Sequence, residues 1–260
     1  MARILAVSSQ VVYGPVGLTA AVPALQAMGH EVLALPTVQL SNHPGLGKPV
    51  GHATPASEMS AMLEALERID ALQALDAVMT GYFANADQAE VMAKWIAKLC
   101  RIDPAIYVLV DPVIGDDDAL YVSEALAISI RDRLVPLATC ITPNAFELGW
   151  LTKRVVKDSE SAIAAARSLA APEVLATSVP DGAMLANIIV ASSSSHRVTS
   201  PKLMDVPHGT GDLLAGLYLA HRFGSTPEDA LNRAVPILSR TITASLGGDT
   251  LAIAEALHGS

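Results

Sequence analysis

The chain has 260 residues, 51% of them hydrophobic and 17% charged, with 26 acidic against 17 basic side chains and a formal net charge of −9. That is enough apolar material for one large α/β domain, and the acidic balance without a basic patch argues against a nucleic-acid partner. Aromatic residues make up only 4%, so Ala, Leu and Val must fill the interior.

Taken in chain order, Ile4-Leu5-Ala6-Val7 is a short apolar run ending in Ser8-Ser9-Gln10, the pattern of a buried strand that opens into a polar loop. Gly14, Pro15 and Gly17 extend that loop, and Leu18 to Met28 forms a helix closed by Gly29. Val32 to Leu35 is a second strand, leading into a long polar loop from Pro36 to Gly45; loops of that length in a compact domain are usually functional. The periodicity then predicts a helix from Ser57, as N-cap, to Ile69, a strand over Ala77–Thr80 ending at Gly81-Tyr82, and a helix from Asp87 to Leu99. A strand over Ile106–Val110 stops at Asp111-Pro112, a helix covers Leu120–Leu134, and a strand over Ala138–Thr142 stops at Pro143. The rest reads as helix Ser159–Ala170, strands Val174–Thr177 and Met184–Ala191, a turn at Ser192–Ser195, and two closing helices. The first of these starts at the glycine loop before Leu213, and the second at Thr226-Pro227-Glu228 with Thr226 as N-cap. Strands and helices alternating at this spacing give a mostly parallel sheet covered on both faces, in a single domain spanning 1–260.

The stretch His208-Gly209-Thr210-Gly211-Asp212 precedes an apolar helix. Two glycines around one small residue let successive amides converge on a point, and the helix dipole makes that point electropositive. A transferring phosphoryl group suits it, with Asp212 at the edge able to take a proton from a hydroxyl. The same residues also read as an ordinary glycine-rich helix start. Ligands in parallel sheets bind beyond the carboxyl ends of the strands, and here that edge collects Ser9, Thr37, Gly81, Tyr82, Asp111, Thr142, Asn144, Thr177 and Ser178. Asp111 and Asp116 lie across a turn that suits Mg²⁺, although Asp117 and Asp118 follow and a solvated acidic turn gives the same pattern. Asn144 with Glu147 reads as a capping box-like helix start with Asn144 as N-cap, a reading that can coexist with Glu147 facing a metal-bound water.

Other polar residues carry less. His43, His52, His196, His208 and His221 show no metal-ligand spacing, and His30 and His258 sit beside helix or chain ends. Tyr13, Tyr82 and Tyr121 suit stacking on a ring or half-buried packing equally well. Cys100 and Cys140 form neither a metal motif nor a disulfide framework, as expected of a reducing compartment. Ile4 to Gly29 lacks charge, but Ser8, Ser9, Gln10, Gly14, Pro15, Gly17 and Pro23 interrupt it, unlike a secretory signal. With no apolar stretch of bilayer length elsewhere, the expectation is a cytoplasmic protein without a membrane segment.

Together these pieces resemble the pyridoxal kinases of the ribokinase-like superfamily over almost the full chain. The matching segments are Ser8 to Gly14, Thr37-Val38-Gln39-Leu40-Ser41-Asn42-His43, Thr80-Gly81-Tyr82, Asp111 to Asp116, Leu120-Tyr121-Val122, Thr142-Pro143-Asn144 with Glu147, Thr177-Ser178, and Gly209-Thr210-Gly211-Asp212. The segment from Thr37 to His43 points to pyridoxal kinase in particular; the glycine loop and the Asp-Pro-Val turn are shared more widely. The resemblance implies a three-layer α/β/α sandwich and ATP-dependent phosphorylation of the 5′-hydroxymethyl group of pyridoxal, with pyridoxine and pyridoxamine as further substrates.

It further implies Asp212 as base and the amides of Gly209, Thr210 and Gly211 as the anion hole. Ser9, Thr37, His43 and Tyr82 are implied around the vitamer ring with Tyr121 nearby. Asp111, Asp116 and Glu147 are implied around Mg²⁺ and its waters, and Asn144, Thr177 and Ser178 around the nucleotide. K⁺ is implied near Asp111, Thr142 and Thr177, and a homodimer as the assembly. Three departures stand out: Leu18 where the family's first loop ends in Asn, Gln10 where it has His, and a short segment between Ser195 and Gly209. They put nucleotide affinity and ring contacts in question more than the chemistry. Two other readings are a hydroxymethylpyrimidine kinase, which generally carries Cys where this chain has Asp212, and a non-catalytic vitamin B6 binder, for which the phosphate site would be idle.

Overall fold

The computed structural model describes residues 1–116, 119–192 and 194–257; Asp117, Asp118, Ser193 and His258 lie outside the described residues. Its elements run Arg3–Tyr13 (β1), Leu18–Ala27 (α1), Glu31–Asn42 (β2), Gly51–Ala53 (β3), Ala56–Arg68 (α2), Ala77–Thr80 (β4), Ala86–Ile102 (α3), Tyr107–Val110 (β5), Gly115–Asp116 (β6), Ala119–Leu120 (β7) and Glu124–Ser129 (α4). Cys140–Ile141 (β8), Ala145–Thr152 (α5), Ser159–Ala166 (α6), Glu173–Asp181 (β9), Met184–Ala191 (β10), Ser194–Pro201 (β11), Thr210–Arg222 (α7), Pro227–Ser245 (α8) and Ile253–Leu257 (α9) follow.

The main sheet has nine strands in the order β11-β10-β9-β8-β5-β4-β1-β2-β3, parallel from β9 to β2 and antiparallel at both flanks. Helices cover both faces, the three-layer α/β/α arrangement. Strand residues alternate between the layers with the period of two that extended backbone imposes. Leu5, Val7, Val78, Val108 and Val110 face the layer built on α2 to α6, while Ile4, Ala77, Met79 and Leu109 face α1, α7, α8 and α9. Both faces of these strands are dry, so they read as continuous apolar runs in the sequence.

β1 pairs with β4 only over Ile4–Val7, but with β2 as far as Tyr13. Its upper half therefore leaves the sheet with β2 and β3 as an arm over the carboxyl edge. The β1–β2 register slips at Ser8/Ser9, where Ser8 faces Pro36 and Ser9 faces Val38, leaving Thr37 as the extra residue of a bulge.

The fold departs from four expectations. Pro36 to Gly45 is strand as far as Asn42, followed by a short helical turn at Pro44–Leu46. Its polar residues looked like loop because one side of the arm is wet. The helix read over Leu120–Leu134 is interrupted: β7 ends at Leu120, α4 starts only after its N-cap Ser123, and Ile130–Leu134 is wound as a π-turn. The turn at Ser192–Ser195 runs into β11, an edge strand whose alternating exposure hides it in a polar sequence. Finally, α2 begins at Ala56 with Pro55 as N-cap and no side-chain cap, so Ser57 lies inside the helix. By contrast, Thr226 caps α8 by accepting from the amide of Asp229.

Candidate active site

The glycine loop lies at the start of α7 beneath the arm. Gly209 is the N-cap with φ 99, a left-handed conformation in which a side chain would be strained. A Cβ there would also meet the Pro15 carbonyl oxygen at 2.1 Å. No side chain caps this helix at Gly209, which leaves the amides of Thr210 and Gly211 at its start for an anion. Asp212 sits in that turn. A Cβ built on Gly81 would lie 3.9 Å from Asp212 Oδ1, which places the carboxylate opposite the end of β4. Burial pushes its pKa up to about 6, against the pull of hydrogen bonds from the Gly17 amide and from its own.

Beyond the ends of β5 and β8, Thr142 Oγ1 donates to Asp111 Oδ1 at 3.0 Å. Asp111 is buried; desolvation first, then the negative charges of Glu147 and Asp212, raise its pKa well above the carboxylate range. Glu147 is committed on both oxygens: Oε1 accepts from Ile114 N at 2.8 Å, and Oε2 from Asn144 N at 2.9 Å. Asn144 returns the bond by accepting from Glu147 N at 2.8 Å, completing the capping box, and donates from Nδ2 to the Gly115 carbonyl at 2.8 Å. Burial pushes Glu147 up to about 7. These bonds clamp the turn after β5, where Val113 is held at φ 44, an outlier for a β-branched residue. Asp116 lies exposed on the adjoining hairpin. Tyr121, at the end of that hairpin, has its phenol pKa raised by desolvation and then by Glu147, Asp111, Asp212 and Asp116.

Thr177 is buried beside this group, its amide donating to the Pro143 carbonyl at 2.9 Å and its backbone bridging Asn144. Ser178 is exposed with φ 52, and its amide is held by Asn187 Oδ1 at 3.3 Å.

The arm carries the remaining residues. Ser9 packs against Gly17, where a Cβ would come within 2.2 Å of Ser9 Oγ. Thr37 is fully buried and donates its hydroxyl to the Tyr82 carbonyl at 2.7 Å, so it fixes the Gly81-Tyr82 turn and does not face open space. Tyr82 is half-buried, its phenol pKa raised by desolvation, and its amide is held by Ser8 Oγ at 3.1 Å. His43 caps the turn after β2, accepting from Gly45 N at 3.1 Å.

Two residues of this region carried no sequence signal of their own. Ser8 anchors Tyr82. Gln88, fully buried on α3, donates from Nε2 to the carbonyls of Thr37 at 2.8 Å and Thr54 at 2.6 Å while accepting from Ala84 N at 2.8 Å. A lone Gln on an amphipathic helix looks like any solvated polar residue; only its burial sets it apart.

A family model described as phosphomethylpyrimidine kinase matches residues 17–252. A pyridoxine/pyridoxal/pyridoxamine kinase of Bordetella avium is 41% identical over 258 residues, covering 96% of this chain and 86% of that protein. The chain belongs to the pyridoxal kinase family. An Arabidopsis thaliana pyridoxal kinase is 31% identical over 94% of this chain and 81% of its own length. The pyridoxal kinase of Leishmania donovani, solved with ADP and pyridoxamine, superposes with a TM-score of 0.91 at 30% identity, covering 98% of this chain and 94% of that one.

Against the family pattern, Leu18 turns its side chain into the core, where it is 2% exposed. That departure belongs to packing at the start of α1. Part of the short segment after Ser195 is taken up by β11, leaving only residues 202–208 between the sheet and the glycine loop.

Proposed function

We propose that this chain transfers the γ-phosphoryl group of ATP to the 5′-hydroxymethyl group of pyridoxal, and also acts on pyridoxine and pyridoxamine, yielding the 5′-phosphates. The observation that carries this reading is the meeting of an uncapped glycine-loop helix start with the Asp212 carboxylate at the carboxyl edge of the sheet. Asp212 takes the hydroxyl proton. The amides of Gly209, Thr210 and Gly211 stabilise the negative charge that develops on the transferring group, and the arm holds the ring through Ser9, His43 and Tyr82, with Thr37 shaping the turn. Positioning and electrostatics supply the acceleration.

Mg²⁺ fits the donor set here. Asp111 is a carboxylate whose protonation is favoured first by burial and then by neighbouring negative charge, and a divalent cation relieves that repulsion. Among the described residues no three His, Cys, Asp or Glu side chains form a closed metal site; Mg²⁺ characteristically takes few protein ligands, with phosphate oxygens and waters completing its shell. Asp111 would hold it, with Asp116 and Glu147 acting through waters, and its chemistry is charge neutralisation on the phosphates. K⁺ is assigned to Asp111, Thr142 and Thr177, and the nucleotide to Asn144, Thr177, Ser178 and Tyr121. We take the chain to be one domain, homodimeric and cytoplasmic. Among the described residues no helix is long and apolar enough to cross a membrane.

The test is the purified protein with ATP, Mg²⁺ and pyridoxal, following the absorbance of the aldehyde 5′-phosphate, with Asp212→Ala as background. Turnover no faster than that background overturns the reading. The description of the matching family model favours one alternative, phosphorylation of a hydroxymethylpyrimidine. A side-by-side substrate panel decides it; preference for the pyrimidine would displace the vitamin B6 assignment.

A further inference from the structure

His208, directly before the glycine loop, makes a contact that the proposed chemistry does not use. Its ring stacks on that of His43, with centroids 4.2 Å apart and planes 35° from parallel. Gly45 lies beside both rings. A Cβ there would sit 2.5 Å from His208 Nε2 and 3.0 Å from His43 Nδ1, so the backbone of the turn is pressed against both rings. The Gly45 amide donates to His43 Nδ1, which fixes the orientation of that ring. None of the turn residues Pro44–Leu46 is buried, so hydrophobic burial does little to anchor the turn. On the other side, Gly209 is packed against the Pro15 carbonyl and cannot shift without moving the loop before α1.

We infer that His208 is a positioning residue that ties the vitamer arm to the phosphoryl loop through His43, fixing the spacing between the two substrates. This rests on the vitamin kinase reading. The contact joins the end of β2 to the start of α7, elements far apart in sequence that carry different halves of the reaction. Desolvation, and then the neighbouring His208, lower the pKa of His43; the neutral ring keeps Nδ1 as the acceptor for Gly45. Aromatic pairs of this kind change an equilibrium by about 2- to 10-fold, enough to set how often the arm stands away from the loop.

The experiment compares the full-length wild type with His208→Ala and His208→Phe by amide hydrogen exchange of the free protein and by steady-state kinetics with pyridoxal. In His208→Ala, exchange at residues 45–47 is expected to rise by about 2- to 10-fold. The KM for pyridoxal should rise by a similar factor, with kcat within about twofold. His208→Phe restores both, because it keeps the stacked ring. Unchanged exchange at 45–47 in His208→Ala, or failure of Phe to restore it, overturns the inference. If His208→Ala does not fold, Gly45→Ala, whose methyl group displaces the His208 ring, must give the same rise in exchange. A wild type that phosphorylates no B6 vitamer defeats the kinase reading, while the exchange measurement still decides the tether.

Discussion

Asp212 carries opposite consequences for activity and for stability. As the proposed base it must be ionised, so kcat/KM is expected to fall as pH drops through about 6, the value to which burial raises it. A carboxyl whose folded pKa lies above its unfolded value near 4 opposes folding once ionised. That penalty is absent below about pH 4, grows as pH rises, and is complete above about 6, where it amounts to roughly 3 kcal/mol. Asp212→Asn is therefore expected to lower kcat by about 10²- to 10⁴-fold while raising the melting temperature at pH 8. At pH 4 the two proteins should melt together. Thermal scans at both pH values check this, and an Asn variant that melts lower at pH 8 would refute the desolvation argument.

At the scale of elements, the site depends on buried polar residues that tie its supporting segments together. Gln88 holds β2, the segment before α2 and the turn after Tyr82 in one network. Gln88→Leu leaves buried amide and carbonyl groups unpaired; it should cost about 2–4 kcal/mol in urea unfolding and raise the KM for pyridoxal, because Thr37 and Tyr82 lose their support. At the other end of α7, Glu173 accepts from Tyr107 at 2.6 Å, from Tyr218 at 2.7 Å and from Arg222 at 2.8 Å. The helix that presents Asp212 is thus pinned at its far end. Tyr218→Phe removes one bond to a buried carboxylate and should cost about 1.5–3 kcal/mol by the same measurement. Neither network was legible in the sequence, since each joins residues dozens of positions apart. What could be read was local. Ala77–Thr80 and Met184–Ala191 are strands with the expected bounds, because continuous apolar runs between turn residues admit few alternatives. β11 and the upper part of β2 escaped notice because an edge or a wet face removes that signal.

Across the whole molecule, the parallel strands deliver Ser8, Thr80, Asp111, Thr142 and Thr177 to one edge while helices seal both faces. Ligands at that edge bind the folded state alone, so ATP with Mg²⁺ at a hundredfold excess over its Kd should stabilise the protein by about 2.7 kcal/mol. A thermal shift with ATP and Mg²⁺ together, and a smaller one with ATP and a chelator, is the expected pattern; equal shifts would remove Mg²⁺ from the site. The bulge at Thr37 has a consequence for how this protein can vary. Beyond it, Val38 points inward because one surplus residue has reset the alternation. Losing Thr37 would close the bulge and leave Val38 opposite Ser9, whereas losing a single residue between Val38 and Asn42 would turn every side chain beyond it to the opposite face. Homologous chains can therefore exchange side chains along this ribbon but must conserve its length beyond the bulge, and insertions or deletions should collect instead in the largely exposed segments 47–50 and 202–205.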